Sequence, residues 1–509
     1  MLSYLIKSFR GGFSDETDKG IEGSYKYGHG LDIHKRADTL TAEQAMATIL
    51  GESSGVFADG VGVYGVLGTT QTGIMQFMVP ASNGTTYCFG STGSIFSRSG
   101  DGIWTFAYND ENGAIKGAAE WKLSSGVNYL FWATNTSVAR KELGGAEITA
   151  DSGTGRWTDV SADYKTTLEP AEWHTMENVA GQINIVNGNY LATIDYSGSF
   201  NAQALNIIPG NIIQCIEERD DYVILGSKRK DQSEKGHIWS WLTTALNYVQ
   251  KKKIPVKGVN ALIYSELPLC QGGNNGELFL SDFVNATPLA ELPDGSGQVN
   301  PGGVTIDNDL AAFGFYGTDY PGIWRYGRRM KNRPQAFDYG YRLVKTIAGS
   351  SISTIAAVAM IDGTMLASWG TTDGSTSEYG VDAVSSTTKV TAVYEALEFT
   401  NNSPHTTKYF DSVKLTLAPM PASTSVAVKY KVNKATTGGD SSANAGFKYA
   451  VTGSGATTFG ITDATEAEFM VSQEGRVYEG GVELIPSGND SAEVLSIITN
   501  FNEQTKQHG

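Results

Sequence analysis

The sequence predicts an all-β fold: a β-propeller of about seven four-stranded blades, followed by an antiparallel β-sandwich and preceded by an extended N-terminal arm. Three observations predict it. The 509 residues contain 60 glycines and only 18% charged side chains, with 24 tyrosines, a turn-rich composition that favours strands over helix bundles. Short Gly–Ile–Trp phrases recur at long, regular spacing. After residue 386 the texture changes to strict alternation of apolar and polar residues.

The first forty residues read as the arm. Gly11, Gly12, Gly20 and Gly23 leave the backbone free to follow a surface. Phe13, Ile21, Tyr25, Tyr27, Leu31 and Ile33 supply groups to bury, so these six are the candidate interface residues. His29 and His34 raise the question of a metal, but in an extended segment residues five apart face opposite sides, which is poor geometry for one ion. Asp15 to Glu22 lacks the spacing of a calcium loop. The arm is expected to lie across another part of an assembly, or to close the ring against its last blade. TAEQAMATIL (41–50) reads as a short helix stopped by the glycines after it.

The propeller is expected over residues 41–385. Gly102-Ile103-Trp104, Gly236-His237-Ile238-Trp239 and Gly322-Ile323-Trp324 place tryptophans 135 and 85 residues apart, three and two units of about 45 residues, the length of a four-stranded blade. YLATIDYSG (190–198) and GELFLSD (276–282) fall near the same phase. A second phrase, an apolar strand closing on small residues, appears at 87–93, 129–135, 222–227, 310–317 and 365–370, and reads as an inner blade strand. Trp104, Trp239 and Trp324 are therefore blade-packing residues. A blade buries its faces only against its neighbours, which makes the repeat a ring.

The sandwich is expected over 386–509. VTAVYEALEFT (390–400), FDSVKLTLAPMP (410–421), TSVAVKYKVN (424–433) and GRVYEGGVELIPSG (475–488) alternate at period two. EVLSIITNFNEQTKQHG reads as a last strand and a polar tail.

Charge and cysteines narrow the function. A net charge of −16 argues against tight nucleic-acid binding, though DNA can pass an acidic wall without sticking. The basic runs at 228–230, 251–253 and 325–333 read as solvated loops. Cys88, Cys215 and Cys270 show neither zinc nor disulfide spacing, and Cys88 and Cys215 sit in apolar runs as small core residues. No apolar run reaches the length of a membrane span or a secretory leader.

The search for chemistry yields no catalytic set, and the chain is expected not to be an enzyme and to carry no cofactor. Ser99 to Trp104 approaches a sialidase Asp box but lacks its glycine. Gly51-Glu52-Ser53-Ser54-Gly55 matches the pattern of a nucleophile elbow, but the strand-then-helix order is reversed. Asn109 to Gly113 and Asp307 to Asp309 are oxygen-rich, yet are more simply hairpin turns than calcium sites.

Several stretches resemble a family of tailed-bacteriophage virion proteins of the propeller-plus-sandwich type: the opening SFRGGFSDETDKGIEGSYKYGHGLDIHKRADTLT, YLFWATNTSVARKEL (129–143), KGVNALIYSE (257–266), YGRRMKNRP (326–334) and RVYEGGVELIPSGNDSAEVLSI (476–497). The resemblance implies a structural tail or neck component in the virion, such as a nozzle, adaptor or tail-tip ring, with other tail or neck proteins as partners. It carries across no functional residues. A homo-oligomeric ring would bury on the order of 2,000 Å² or more per contact. The alternative is a tail protein that binds or cleaves host-surface carbohydrate, for which exposed aromatics on one propeller face would speak.

Overall fold

The computed structural model describes residues 2–14, 22–34, 38–53, 56–59, 62–64, 73–100, 104–145, 147–152, 155–231, 233, 235–292, 297–307, 309–317, 321–329, 335–343, 354–373, 376–436 and 446–503. Among these residues every regular element is a strand. From Met75 onward the chain lays down antiparallel sheets in simple up-and-down order. The first comprises Met75–Pro80, Thr85–Gly90, Ser94–Ser99 and Thr105–Asn109, extended at its outer side by Gly155–Trp157 and Glu147–Ser152. Four-stranded sheets follow within 117–165, 176–206, 211–254, 259–290 and 298–342. The last ring sheet joins Thr354–Ile361, Thr364–Asp373 and Thr376–Lys389 to Gln44–Ser53, a strand from near the start of the chain.

The opening strand of each sheet touches that of the next, and Thr354–Ile361 touches Met75–Pro80, so the series closes on itself in a propeller-like ring. Apolar clusters sit between successive sheets, as stacked blades require. Phe89, Leu130 and Trp132 join the first two sheets, and Ile224, Ile238, Val259 and Cys270 join the fourth and fifth. Leu50, Phe96, Leu366 and Val381 bridge the last sheet to the first. All three cysteines are buried free thiols.

The strand Gln44–Ser53 corrects the helix expected at 41–50. Its Ala, Gln, Met and Glu favour a helix in isolation, but pairing wins: Ala383 faces Ala47, Val381 faces Leu50 and Gly380 faces Gly51. Leu50 is fully buried. Thr48 Oγ1 (2.8 Å) and Trp369 Nε1 (2.6 Å) both donate to Asp382 Oδ1, which pins the closing strand to its sheet.

Two further readings shift by one strand. The apolar phrases taken as inner strands are the second strands of their sheets, for example Tyr222–Arg229 beside the innermost Asn211–Arg219. Trp239 and Trp324 lie on third strands two sheets apart, but Trp104 precedes the fourth strand of the first sheet, so its spacing does not mark the same position.

Leu31–Asp32 pairs with Thr41–Ala42 in a two-stranded sheet, and Val56–Asp59 and Gly62–Tyr64 extend the last ring sheet beyond Gln44–Ser53. The strands that remain form two sheets around one core. One has the order Leu2–Ile6, Val494–Glu503, Lys408–Leu417, Glu466–Gly475. The other runs Gly12–Phe13, Ser24–His29, Ala392–Ala396, Tyr478–Ile485, Ser425–Val432, with two short strands beside the last. Phe410, Leu415, Phe469 and Phe501 face Val426, Val428, Val482 and Leu484 across it. The expected separate arm is therefore corrected: residues 2–6 and 24–29 are ladder strands, Leu2 facing Phe501 and His29 facing Val393. A strand that buries Tyr25 and pairs on both sides gains more from completing this core than from hanging free.

Candidate functional site

The arm residues meet the ring at a buried joint. Gly12, at φ +73, brings the backbone so close that a Cβ there would lie 2.8 Å from the carbonyl oxygen of Phe337, so only glycine suits this position. Phe13 then packs edge-on against Trp324 (ring centroids 5.8 Å) and Phe337 (6.4 Å) on the ring sheet 298–342. Trp324 itself stacks on Tyr339 at 4.6 Å and Phe337 at 4.8 Å.

Next to Trp324, Arg325 is fully buried. Its Nη1 donates to Glu43 Oε2 (2.7 Å), Nη2 to Asp338 Oδ2 (2.6 Å) and to the Leu31 carbonyl (3.1 Å), and Nε to Asp338 Oδ2 (3.2 Å). Tyr341 lies under the guanidinium at 5.3 Å. His34 Nε2 completes the set on Asp338 Oδ1 at 2.9 Å, while its backbone N–H donates to Asp32 Oδ1 at 3.0 Å. Burial alone would raise the Asp338 carboxyl, but the Arg325 and His34 charges outweigh it and hold it below the usual carboxylate range. Arg325 is likewise pulled down by burial and held well up by Asp338 and Glu43. Three guanidinium hydrogen bonds to two carboxylates, with a fourth to a backbone carbonyl, make the arrangement in which a buried charge persists.

Leu31, His34 and Glu43 belong to the segment that runs from the two-sheet unit to the closing strand. The second crossing is at residues 389–392, where Lys389 Nζ donates to the Ala42 carbonyl at 2.7 Å. The joint thus holds both crossings. Each polar atom named is bonded to another part of the same chain, so the joint ties the two units together.

The other sequence-derived candidates fall as follows. Tyr25, Leu31 and Ile33 are core residues of the two-sheet unit, and Tyr25 sets its ring edge-on to Tyr394. Tyr27 bonds His29 Nδ1 through its hydroxyl at 2.9 Å, and burial pushes the Tyr27 phenol up to about 12 and the His29 imidazole down to about 3. His29 and His34 therefore serve different neighbours. Ile21 lies outside the described residues, as do residues 54–55 of the Gly51–Gly55 stretch and 101–103 of the near Asp box. Trp239 donates from Nε1 to Ser227 Oγ at 2.9 Å, and Trp104 is buried beneath Arg98. Asp110 accepts from Trp132 Nε1 (2.7 Å) and from the Asn112 backbone (2.9 Å), as a turn anchor does. Asp307 is bonded to Arg329 at 3.1 Å, and Asn308 lies outside the described residues. Among the described residues no three His, Cys, Asp or Glu side chains gather as a metal site.

The sequence reading missed the joint because Arg325 stood at the head of a basic run and was read with it as solvated. The available signal was position: Arg325 adjoins Trp324 in the interior of an apolar strand, GIWRYG, where a charge needs a partner.

No protein-family model matches the chain, and no curated protein matches it. Solved structures with a similar course include the computationally designed Ika8 protein, at TM-score 0.37 and 10% identity over 63% of this chain and 98% of that one. The WD40 β-propeller domain of Doa1 reaches TM-score 0.42 at 11% identity, over 67% of this chain and 98% of that one. The extracellular domain of the one-component system BT4673 from B. thetaiotaomicron, so described, reaches 0.43 at 13% identity, over 72% of this chain and 43% of that one.

Proposed function

We propose that the chain is a seven-bladed propeller joined to a β-sandwich, and that it serves as a structural component of a tailed-phage virion. In this reading residues 41–385 form the propeller and 386–509 the sandwich, which takes in Leu2–Ile6, Gly12–Phe13 and Ser24–His29 as further strands. The protein acts through its surfaces, as a nozzle, adaptor or tail-tip ring repeated around the tail axis among other tail or neck proteins. It catalyses nothing, and an acidic wall lets DNA pass without tight binding.

The observation that supports this reading best is the joint. Both crossings between ring and two-sheet unit are locked by Arg325, Asp338, Glu43, His34 and Lys389, so the units are presented as one body. A part that must hold its neighbours in register needs such a fixed angle. The resemblance of several sequence phrases to those of virion proteins is the other support for the reading.

Immunogold labelling of purified particles with an antibody to this chain tests it. Label at the head–tail junction favours the neck role, and label at the distal end favours a tail-tip ring. Particles free of the chain sink the reading.

A further inference from the structure

One end of the ring carries a polar cavity that the joint does not use. It has a volume of about 200 Å³ and is lined where the chain enters the innermost strands, by Trp173, Gln214, Lys257, Asn260, Gln298 and Tyr316 among others. A second cavity of about 420 Å³ adjoins it and shares Glu172, Gln214 and Lys228. The ion pair between Lys228 and Glu172 stands at the boundary of the two.

The floor is built from side-chain amides. Gln271, fully buried, anchors two lining residues: it accepts from the Val299 N–H and from Asn260 Nδ2, both at 3.0 Å, and donates to the Gly272 carbonyl at 2.8 Å. Asn260 Nδ2 also donates to the Gly273 carbonyl at 2.7 Å, which leaves its Oδ1 to face the other way. Gln298 donates to the Tyr316 hydroxyl, which keeps that O–H as a donor. Burial pushes the Tyr316 phenol up to about 12, so it stays protonated. Trp173 is half-buried, its ring edge-on to Phe77 at 5.9 Å. Lys257 is exposed at the rim and has no ion-pair partner among the described residues.

We infer that this end of the ring binds a short acidic saccharide. Amides both donate and accept, which matches neighbouring sugar hydroxyls, and aromatic walls take the C–H face of a pyranose ring. With Lys228 matched by Glu172, Lys257 leaves the first cavity one net positive charge on a chain of net charge −16. A uronic or sialic carboxylate suits that, whereas the closely spaced charges of a polyphosphate do not. The inference gives the carbohydrate-contact alternative a location, and stands whether or not the chain is a virion part.

The test is titration of the full chain with oligogalacturonate and with a sialic-acid-terminated trisaccharide, followed by tryptophan fluorescence and calorimetry, with maltotriose as the neutral probe. One acidic probe binds at least tenfold more tightly than maltotriose. Asn300 lines the same cavity beside Gln298, and Lys257→Ala and Asn300→Ala each weaken that binding by about tenfold while the melting temperature stays put. Trp173→Ala also loses binding, but packs against the ring and is read beside the other two. Three results overturn the inference: neither acidic probe binds, maltotriose binds equally well, or both rim variants bind as the parent does. None of these touches the virion reading, which stands or falls on particle content.

Discussion

At the scale of single residues, Arg325 carries the most consequence. Arg325→Met leaves Asp338 and Glu43 buried without their counter-charge, and should cost about 3–5 kcal/mol in denaturant unfolding. Replacing Lys257, which is exposed and has no ion pair among the described residues, should leave stability within about 0.5 kcal/mol. The joint also fixes an acid limit. Because Asp338 is held below its unfolded value, its contribution is complete above about pH 4 and is lost as pH falls through the depressed value. Thermal melts from pH 6 to pH 2 should show that loss in the parent, and a shallower one in Asp338→Asn, which starts less stable. The opposite sign holds at Glu177 on an innermost strand. Burial, then the Glu218 carboxylate, pushes it up to about 7. Its contribution is greatest below about pH 4 and is lost as pH rises toward 7, so Glu177→Gln should stabilise the fold by about 1–3 kcal/mol at pH 8 and by little at pH 4. Little of this was legible in the sequence. Trp324 announced itself by its recurring phrase, but a salt bridge between residues 325 and 338, with partners at 34 and 43, leaves no local spacing to read.

At the scale of elements, strand pairing overrode propensity where it mattered most. Residues 41–50 have a helical composition and no strong alternation, and only the unfilled outer place in the last sheet makes them a strand. Leu50→Asp puts a charge into a fully buried position on that strand. It should lower the melting temperature by more than 5 °C and expose the sheet edge, seen as dye binding or soluble aggregates. Ala47→Ser, at an exposed position of the same strand, should change neither. Alternating strands were easy to see, as at 425–432 and 478–485. Glu466–Gly475 alternates in the same way, with every second residue up to Val471 buried, but its apolar side includes a small Ala467 and its exposed side a Met470, which blurs the pattern in the sequence. The arm was legible as a set of groups to bury, but not as ladder strands, since its partners lie more than 360 residues away. Deleting residues 1–28 should accordingly give insoluble protein through a broken core, not a folded ring with a missing tether. Recovery of a soluble, cooperatively melting ring from that deletion would contradict the placement.

At the scale of the whole molecule, the chain closes upon itself twice. The ring is completed by a strand from near the start of the chain, and the two-sheet unit combines the strands Leu2–Ile6, Gly12–Phe13 and Ser24–His29 with strands that begin at Ala392 and end at Glu503. The recurring second-strand phrases and the Trp239–Trp324 spacing made the ring legible in advance, because each sheet must present the same apolar faces to its neighbours, whereas the Trp104 spacing matched by coincidence. Closure was not legible, since it joins segments that repeat nothing. A body locked in this way, acidic overall and tied at two crossings, suits a part that is copied around an axis and holds others at a set angle. Quantitative mass spectrometry of gradient-purified phage particles tests that account most directly. It predicts this chain in a fixed number of copies per particle, retained through high-salt washing. A chain that stays in the lysate, or whose amount per particle varies from one preparation to the next, would contradict it.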